Sequence, residues 1–294
     1  MTEPHHLPKS PFLVPFSGGF SLSERSTRPQ VNLSKSESKE RLEDLGKEMD
    51  KLQRVLYASR RPPVLVVLQG MDAAGKDGTL RAVTRGLNPQ GCPVYSFKAP
   101  THLELEHDFM WRIVRRLPQR GRIGFFNRSH YEEVLAVRVH PEFLQAQGLE
   151  ASPKDDSFWH GRFETIRSFE EHWARSGMVV LKFWLHLSKD EQTRRLLDRV
   201  DDPDSNWKFN ARDVEERAHW PDYMRAAEEA LAATSRPWAP WYCIPADDKP
   251  SMRVAVAETL LGTLRSLDLD YPTLSEQDRS TMEQLAVGLR SGKL

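Results

Sequence analysis

The sequence predicts an α/β protein built on a doubly wound parallel sheet, and three observations predict it. Short runs rich in β-branched and aromatic residues alternate with longer stretches of helical periodicity. The first of these runs, VLVVL, has no polar position, as a strand buried on both faces requires. A glycine-rich turn follows it and opens a helix, at the strand end where such sheets bind ligands.

Residues 1–33, rich in Pro, Ser and Gly without lasting periodicity, predict a partly ordered N-terminal arm, and residues 34–294 a single domain. Ser34 with Glu37 three residues on forms a capping-box pattern that starts the first helix. Leu42, Leu45, Met49, Leu52 and Leu56 then make one apolar seam, read as packing on the domain's own core in preference to a subunit contact. Pro62 and Pro63 end the segment. Strands are expected at residues 64–68, 94–97, 123–126, 179–185 and 241–244. Helices are expected at 76–86, 103–116, 130–139, 157–176, 189–200, 211–233 and 250–266. Right-handed crossovers between them give the parallel sheet. The polar stretch from Asp201 to Asn210 is expected as a mobile loop, part of a helical lid around residues 200–217.

With 294 residues, 39% of them apolar, the chain can bury a sizeable core. Lys plus Arg and Asp plus Glu balance at 42 each, so no whole-molecule field draws it to nucleic acid or a membrane surface. Any anion site must be local. No window approaches the ~20 apolar residues of a membrane span, and the N-terminus lacks the apolar run of a signal peptide. Cys92 and Cys243 have neither metal-ligand spacing nor a disulfide framework, which suits a reducing compartment; the expectation is cytoplasmic. The ten histidines, His5 and His6 among them, show no zinc-site spacing, and no Ser-His-Asp arrangement is visible.

The segment VVLQGMDAAGKDGT satisfies G-x-x-x-x-G-K through Gly70, Gly75 and Lys76. Backbone N–H groups from Ala73, Ala74 and Asp77 and the helix dipole then converge on phosphate. Asp77 stands where a metal-binding Ser or Thr is usual, so magnesium must be held differently. Asp77 itself is divided between support of the site and plain helix N-terminal charge. A carboxylate inside an anion loop is disfavoured unless a divalent cation sits between it and the phosphates. Asp72 is therefore the expected metal ligand, orienting an attacking phosphate oxygen. The competing reading of Asp72 is a turn residue bonded to its own backbone.

Arg112, Arg115, Arg116, Arg120, Arg122 and Arg128 cluster in an otherwise neutral chain. Arg116 and Arg122 are named for a polyanion channel, against the alternative of a solvated helix face. Arg128 follows a strand end, where sheet geometry aims it at the phosphates. Asn127 stands in place of the usual metal-binding aspartate, and Glu132 is named as an acceptor or metal contact in preference to Glu133. On the lid, Arg195 and Arg199 share a helix face, and Lys208, Arg212 and Arg217 follow. Arg199, Lys208 and Arg212 are expected to close over the phosphates, with pairing to nearby aspartates as the alternative. Trp207, Trp220, Trp238 and Trp241 are read as core before base-stacking residues.

GMDAAGKDGT, FNRSHYE, DP followed by NWKF, and WAPWYCIPADDK together resemble the polyphosphate kinase 2 family, in order and over nearly the whole chain. The resemblance implies a P-loop, thymidylate kinase-like fold and Mg²⁺-dependent phosphoryl transfer between inorganic polyphosphate and a nucleotide, without a phosphoenzyme. It matches Asp72, Lys76 and Arg128 to the family's loop carboxylate, loop lysine and second-motif arginine. Asn127 together with WAPWY is similar to members that phosphorylate both AMP and ADP. Homodimers or homotetramers are implied; Mn²⁺ and guanine nucleotides stay open as substitutes. The family often has lysine where Ser205 stands, so one lid cation is missing here. The competing functions are an ATP-dependent nucleotide or small-molecule kinase, and a P-loop binding protein without catalysis.

Overall fold

The computed structural model describes residues 8, 10–30, 33–150, 155–204 and 206–292, with the main chain alone at Lys208. Its centre is a five-stranded parallel sheet of β1 (Val64–Gly70), β2 (Val94–Ser96), β3 (Ile123–Asn127), β4 (Val179–His186) and β5 (Trp241–Pro245). The strands lie in the order β2-β3-β1-β4-β5. β1 is flanked by β3 on one side and β4 on the other, so its carboxyl end is the topological switch point. β1, β3, β4 and β5 are buried end to end apart from Gly70, which explains their largely apolar sequences; β2 at the edge is largely exposed.

Successive strand residues feed two cores. Val64, Val66, Leu68, Phe125, Leu181 and Phe183 face α1 (Lys35–Ser59), α2 (Lys76–Val83) and α10 (Lys249–Arg265). Leu65, Val67, Phe126, Val180, Trp184 and Trp241 face the opposite layer, with α6 (Asp156–Arg175) and α9 (Trp220–Thr234). The capping box of α1 forms as expected, with the Ser34 side chain accepting from the Glu37 N–H and the Glu37 carboxylate from Ser34 N–H. Leu45, Met49 and Leu56 of its seam are core residues.

The structure breaks three expected helices, each for a local reason. Residues 103–116 divide into α3 (His102–Leu105) and α4 (Trp111–Val114), because the Asp108 carboxylate accepts the Met110 N–H and turns the chain. Residues 130–139 start as a 3-10 turn, His130–Val134, since Ser129 Oγ accepts the Tyr131 N–H; α5 (Ala136–Val139) follows. Beyond α7 (Lys189–Asp201), the lid carries a 3-10 turn (Asn206–Lys208) and α8 (Ala211–Glu215). It then restarts at α9 because Pro221, in the first turn, cannot donate within a continuous helix. One helix was not expected: α11 (Glu276–Arg290), capped by Ser275, buries no residue.

The N-terminal segment, expected as a partly ordered arm, packs on the domain over its described residues. Val14, Phe20 and Leu22 are core. Leu13 bridges Tyr242 antiparallel, and the Cys243 N–H donates to Phe12 O at 2.8 Å, which covers the edge of β5. Among the described residues no helix is long and apolar enough to cross a membrane. Both thiols are buried, and burial pushes each up to about 12.

Candidate active site

The phosphate loop runs from the end of β1 to the start of α2 and owes its shape to its glycines. Gly70 has φ 153°, and a Cβ there would stand 2.9 Å from Leu185 O. Gly75 caps α2 at φ 102°, the left-handed region that favours glycine. Ala73 also sits at positive φ, 63°, a strained value for a residue with a side chain.

Side chains from α7 hold that strain in place. Arg195 is buried; its Nη1 donates to Ala73 O at 3.0 Å and Ala74 O at 2.9 Å, and its Nη2 to Ala246 O at 2.5 Å. Glu191 neutralises it at 2.7 Å. Gln192 Nε2 donates to Asp72 O at 3.0 Å. Arg195, expected on the lid face, therefore clamps the loop backbone to the end of β5 and does not reach over the cleft. Its donors satisfy two carbonyls of the strained loop and two beyond β5, with Nε on Glu191.

Lys76 folds back on the loop, its Nζ 2.6 Å from Gly70 O and 3.1 Å from Met71 O. Burial, and then Arg128, hold its ammonium below the ordinary lysine range, against Asp72, Glu132 and Asp77. Arg128 follows the last residue of β3 at φ 62° and donates from Nη2 to Asp72 Oδ1 at 2.6 Å. Burial opposes its charge, but Glu132, Asp72 and Asp213 outweigh it and keep the guanidinium above its usual range. Asn127 Nδ2 donates to Asp77 Oδ1 at 2.5 Å, so Asp77 supports the site as well as the helix N-terminus.

Asp72, Lys76, Asn127, Arg128 and Glu132 thus meet at one point of a cleft of about 2270 Å³. That exceeds the roughly 300–1,000 Å³ of a small-ligand pocket and leaves room for two phosphate chains. Glu132 and Glu133, neighbours in the 3-10 turn, both line the cleft. Glu133 is buried against Arg162 at 3.1 Å and Gln147 at 3.0 Å.

Of the lid cations, Arg199 and Arg212 line the cleft, paired with Asp213 at 2.8 Å and Glu216 at 3.4 Å. The Lys208 side chain and Ser205 lie outside the described residues. Two arginines named for the channel do not reach it. Arg122 precedes β3, at the end of the sheet opposite the loop, and Arg116 stacks on Tyr95 with its guanidinium carbon 5.1 Å from the ring centroid. The expected helix that carries Arg112, Arg115 and Arg116 breaks at Asp108. Arg112 turns inward instead, donating to Lys98 O at 2.8 Å. Of the tryptophans, Trp241 is fully buried and Trp207 is exposed on the lid.

Sequence reasoning missed Gln192 and Asp213. Burial, and then Asp72, raise the Asp213 carboxyl above its usual range, against Arg199 and Arg128, so a lid carboxylate faces the loop carboxylate. The signal available was the Asp-rich composition of the lid, which gives no direction.

The site suits Mg²⁺. Asn127 Oδ1 is buried without a hydrogen-bond partner beside Asp77, and Asp72 stands at the loop mouth. Among the described residues no three His, Cys, Asp or Glu gather into a metal cage. Magnesium is commonly held by one or two carboxylates with substrate phosphates and water completing its shell.

A central parallel sheet, a phosphate loop at its switch point and a lid carrying arginines define a P-loop protein of kinase-like fold. A family model described as Polyphosphate kinase 2 matches residues 32–271. The chain belongs to that family. It is 51% identical to the ADP-polyphosphate phosphotransferase of Rhodopseudomonas palustris over 85% of this chain and 88% of the relative. It is 45% identical to the AMP/ADP-polyphosphate phosphotransferase of Meiothermus ruber over 79% and 83%. A solved structure of Polyphosphate Kinase 2 from Arthrobacter aurescens TC1 superposes with TM-score 0.84 at 37% identity, covering 94% of this chain and 95% of that one.

Proposed function

We propose that this protein transfers phosphoryl groups reversibly between inorganic polyphosphate and adenine nucleotides, taking AMP to ADP and ADP to ATP. The observation that carries the reading is a carboxylate inside a phosphate loop, Asp72, faced by Arg128 at 2.6 Å. The names of the relatives favour a polyphosphate donor over ATP, and the Meiothermus relative's name supports both acceptors.

Lys76 and the loop amides hold the donor's terminal phosphates, with the α2 dipole adding to their charge. Arg128 exchanges Asp72 for acceptor phosphate oxygens and draws the acceptor toward the donor, so the chain contributes position and charge more than acid-base chemistry. Asp72, with Asn127 and Glu132 nearby, would hold Mg²⁺, with Mn²⁺ as a substitute; bound there, the ion screens donor from acceptor and neutralises developing charge. Arg199 and Arg212 trade their carboxylates for phosphate as the lid closes, which excludes water and suppresses hydrolysis. The resemblance to the family supports a homodimer or homotetramer, with guanine nucleotides as further acceptors. Two buried free thiols suit the cytoplasm.

The test supplies purified protein with Mg²⁺, polyphosphate and AMP, and no other phosphate source. ADP and then ATP are expected. ATP formation that requires another nucleoside triphosphate contradicts the donor, and rejection of AMP where ADP is used contradicts the acceptor range.

A further inference from the structure

Beneath the site lies a buried charged network that phosphoryl transfer itself does not touch. Lys182 on β4 and Glu170 on α6 are fully buried, and Lys182 Nζ donates to Glu170 Oε2 at 2.6 Å, Tyr131 OH at 2.7 Å and Thr234 O at 3.0 Å. The Tyr131 hydroxyl reaches Glu170 Oε1 at 2.8 Å and Thr234 Oγ1 at 2.9 Å. His130 Nε2 lies 3.3 Å from Glu170 Oε1, and Trp241 Nε1 donates to Thr234 Oγ1 at 2.9 Å. One ion pair thus ties together the turn after β3, α6, β4, the end of α9 and β5.

For stability alone this is a poor choice. Two charges taken from water cost several kcal/mol each, and apolar replacement of such pairs is often neutral or stabilising. What the network holds is the segment that begins one residue after Arg128. Arg128 has left-handed backbone at φ 62°, a strained conformation that persists only when its surroundings impose it. Ser129 is pinned on the other side, its Oγ accepting from Gln69 Nε2 and the Tyr131 N–H, both at 3.2 Å. Gln69 immediately precedes the phosphate loop. Tyr131 and His130 then lead within the same turn to Glu132, in the cleft.

We propose that Lys182 is a positioning residue: its ion pair with Glu170 fixes the turn that sets Arg128 and Glu132 against the acceptor. The inference rests on the reading of the site as one that binds acceptor nucleotide. It separates two functions within one cleft. The donor side, Lys76 and the loop, is clamped chiefly by Arg195 and Gln192, which make no bond to this network. The acceptor side is held by the network.

A pH signature accompanies the geometry. The groups facing Lys182 are Glu170 from α6, His130 and Tyr131 from the turn, and Arg236 beyond α9, with the Thr234 carbonyl and the Trp241 ring completing the shell. Burial pushes the Lys182 ammonium down to about 8, with Glu170 opposing. In the unfolded chain lysine titrates near about 10.4. Between those values the unfolded chain binds more protons, so through this group stability rises with pH while the ion pair is lost. Acceptor handling should therefore weaken above about pH 8 with no matching fall in Tm.

The experiment compares wild type with the apolar double variant Glu170→Leu/Lys182→Met and with Tyr131→Phe, reading Tm, ADP and polyphosphate affinities by calorimetry, and turnover. The double variant is expected to keep or raise Tm and to retain polyphosphate affinity. It should bind ADP about 10-fold more weakly, lose about 10- to 100-fold in kcat and lack the wild-type decline above about pH 8. Tyr131→Phe should shift ADP affinity the same way by about 3-fold. A double variant that does not fold makes the pair a stability element and overturns the proposal, as does one with wild-type ADP affinity and pH profile. Wild-type protein that binds ADP but makes no ATP counts against polyphosphate transfer and leaves these affinity readouts to judge Lys182.

Discussion

At the phosphate loop Lys76 is buried and bonded to two main-chain carbonyls, whereas on the lid Arg199 and Arg212 stand in the open cleft, each paired with a carboxylate. The strained backbone of the loop is held by Arg195, which binds carbonyl oxygens and does not compete with substrate for charge. The lid is held by Asp213 and Glu216, which do compete. In the proposed function a polyanion would be received at the loop and would displace anions at the lid. The difference would then separate a part that performs the transfer from a part that gates it.

The sharpest break in this comparison comes from Arg128, which bonds the loop's Asp72 and is proposed to hold the acceptor. Arg128→Ala should lower kcat by about 100- to 1000-fold with Tm little changed, the scale of losing a charge-stabilising donor. Turnover and a thermal melt on the same sample check it. Next, Arg195→Met should unclamp the loop. Four carbonyls and Glu191 lose one buried partner, so stability should fall by about 2–4 kcal/mol. Polyphosphate affinity should fall with it, and a melt unchanged from wild type would return Arg195 to the lid. A smaller effect has the opposite sign: Asp213→Asn removes a negative charge beside Arg199, and polyphosphate should bind about 2- to 10-fold more tightly at low salt. Calorimetry in two salt concentrations reads this directly. The smallest effect is none. With both thiols buried and pushed up to about 12, iodoacetamide at pH 8 should leave activity unchanged in the folded protein.

The same division explains what the sequence disclosed. All five strands were legible, β1 most plainly, because an uninterrupted run such as VLVVL is what a strand covered on both faces demands. Gly70, Gly75 and Lys76 were legible because only certain residues fit a loop that wraps phosphate. Arg128 was legible from its place after a strand end. The lid was found as a polar segment, but which of its charges face inward depends on turns and a restart at Pro221 that divide a helix read as continuous. Arg195 was misassigned for a related reason: helical spacing tells which residues share a face, not whether that face looks toward cleft or core. Lys182 carries no signal at all, since a lone lysine in an apolar strand reads as an edge position until its partners from distant segments are in place.

The central claim is that Asp72, a carboxylate in an anion site, belongs to the transfer chemistry. Asp72→Asn keeps the shape of the side chain and removes its charge. Turnover across a Mg²⁺ titration, with polyphosphate affinity on the same preparation, decides the matter. The account predicts a folded variant that binds polyphosphate at least as tightly as wild type yet transfers phosphate at least roughly 100-fold more slowly, with a shifted Mg²⁺ dependence. A near-normal rate with unchanged Mg²⁺ dependence would contradict it and leave Asp72 a turn residue.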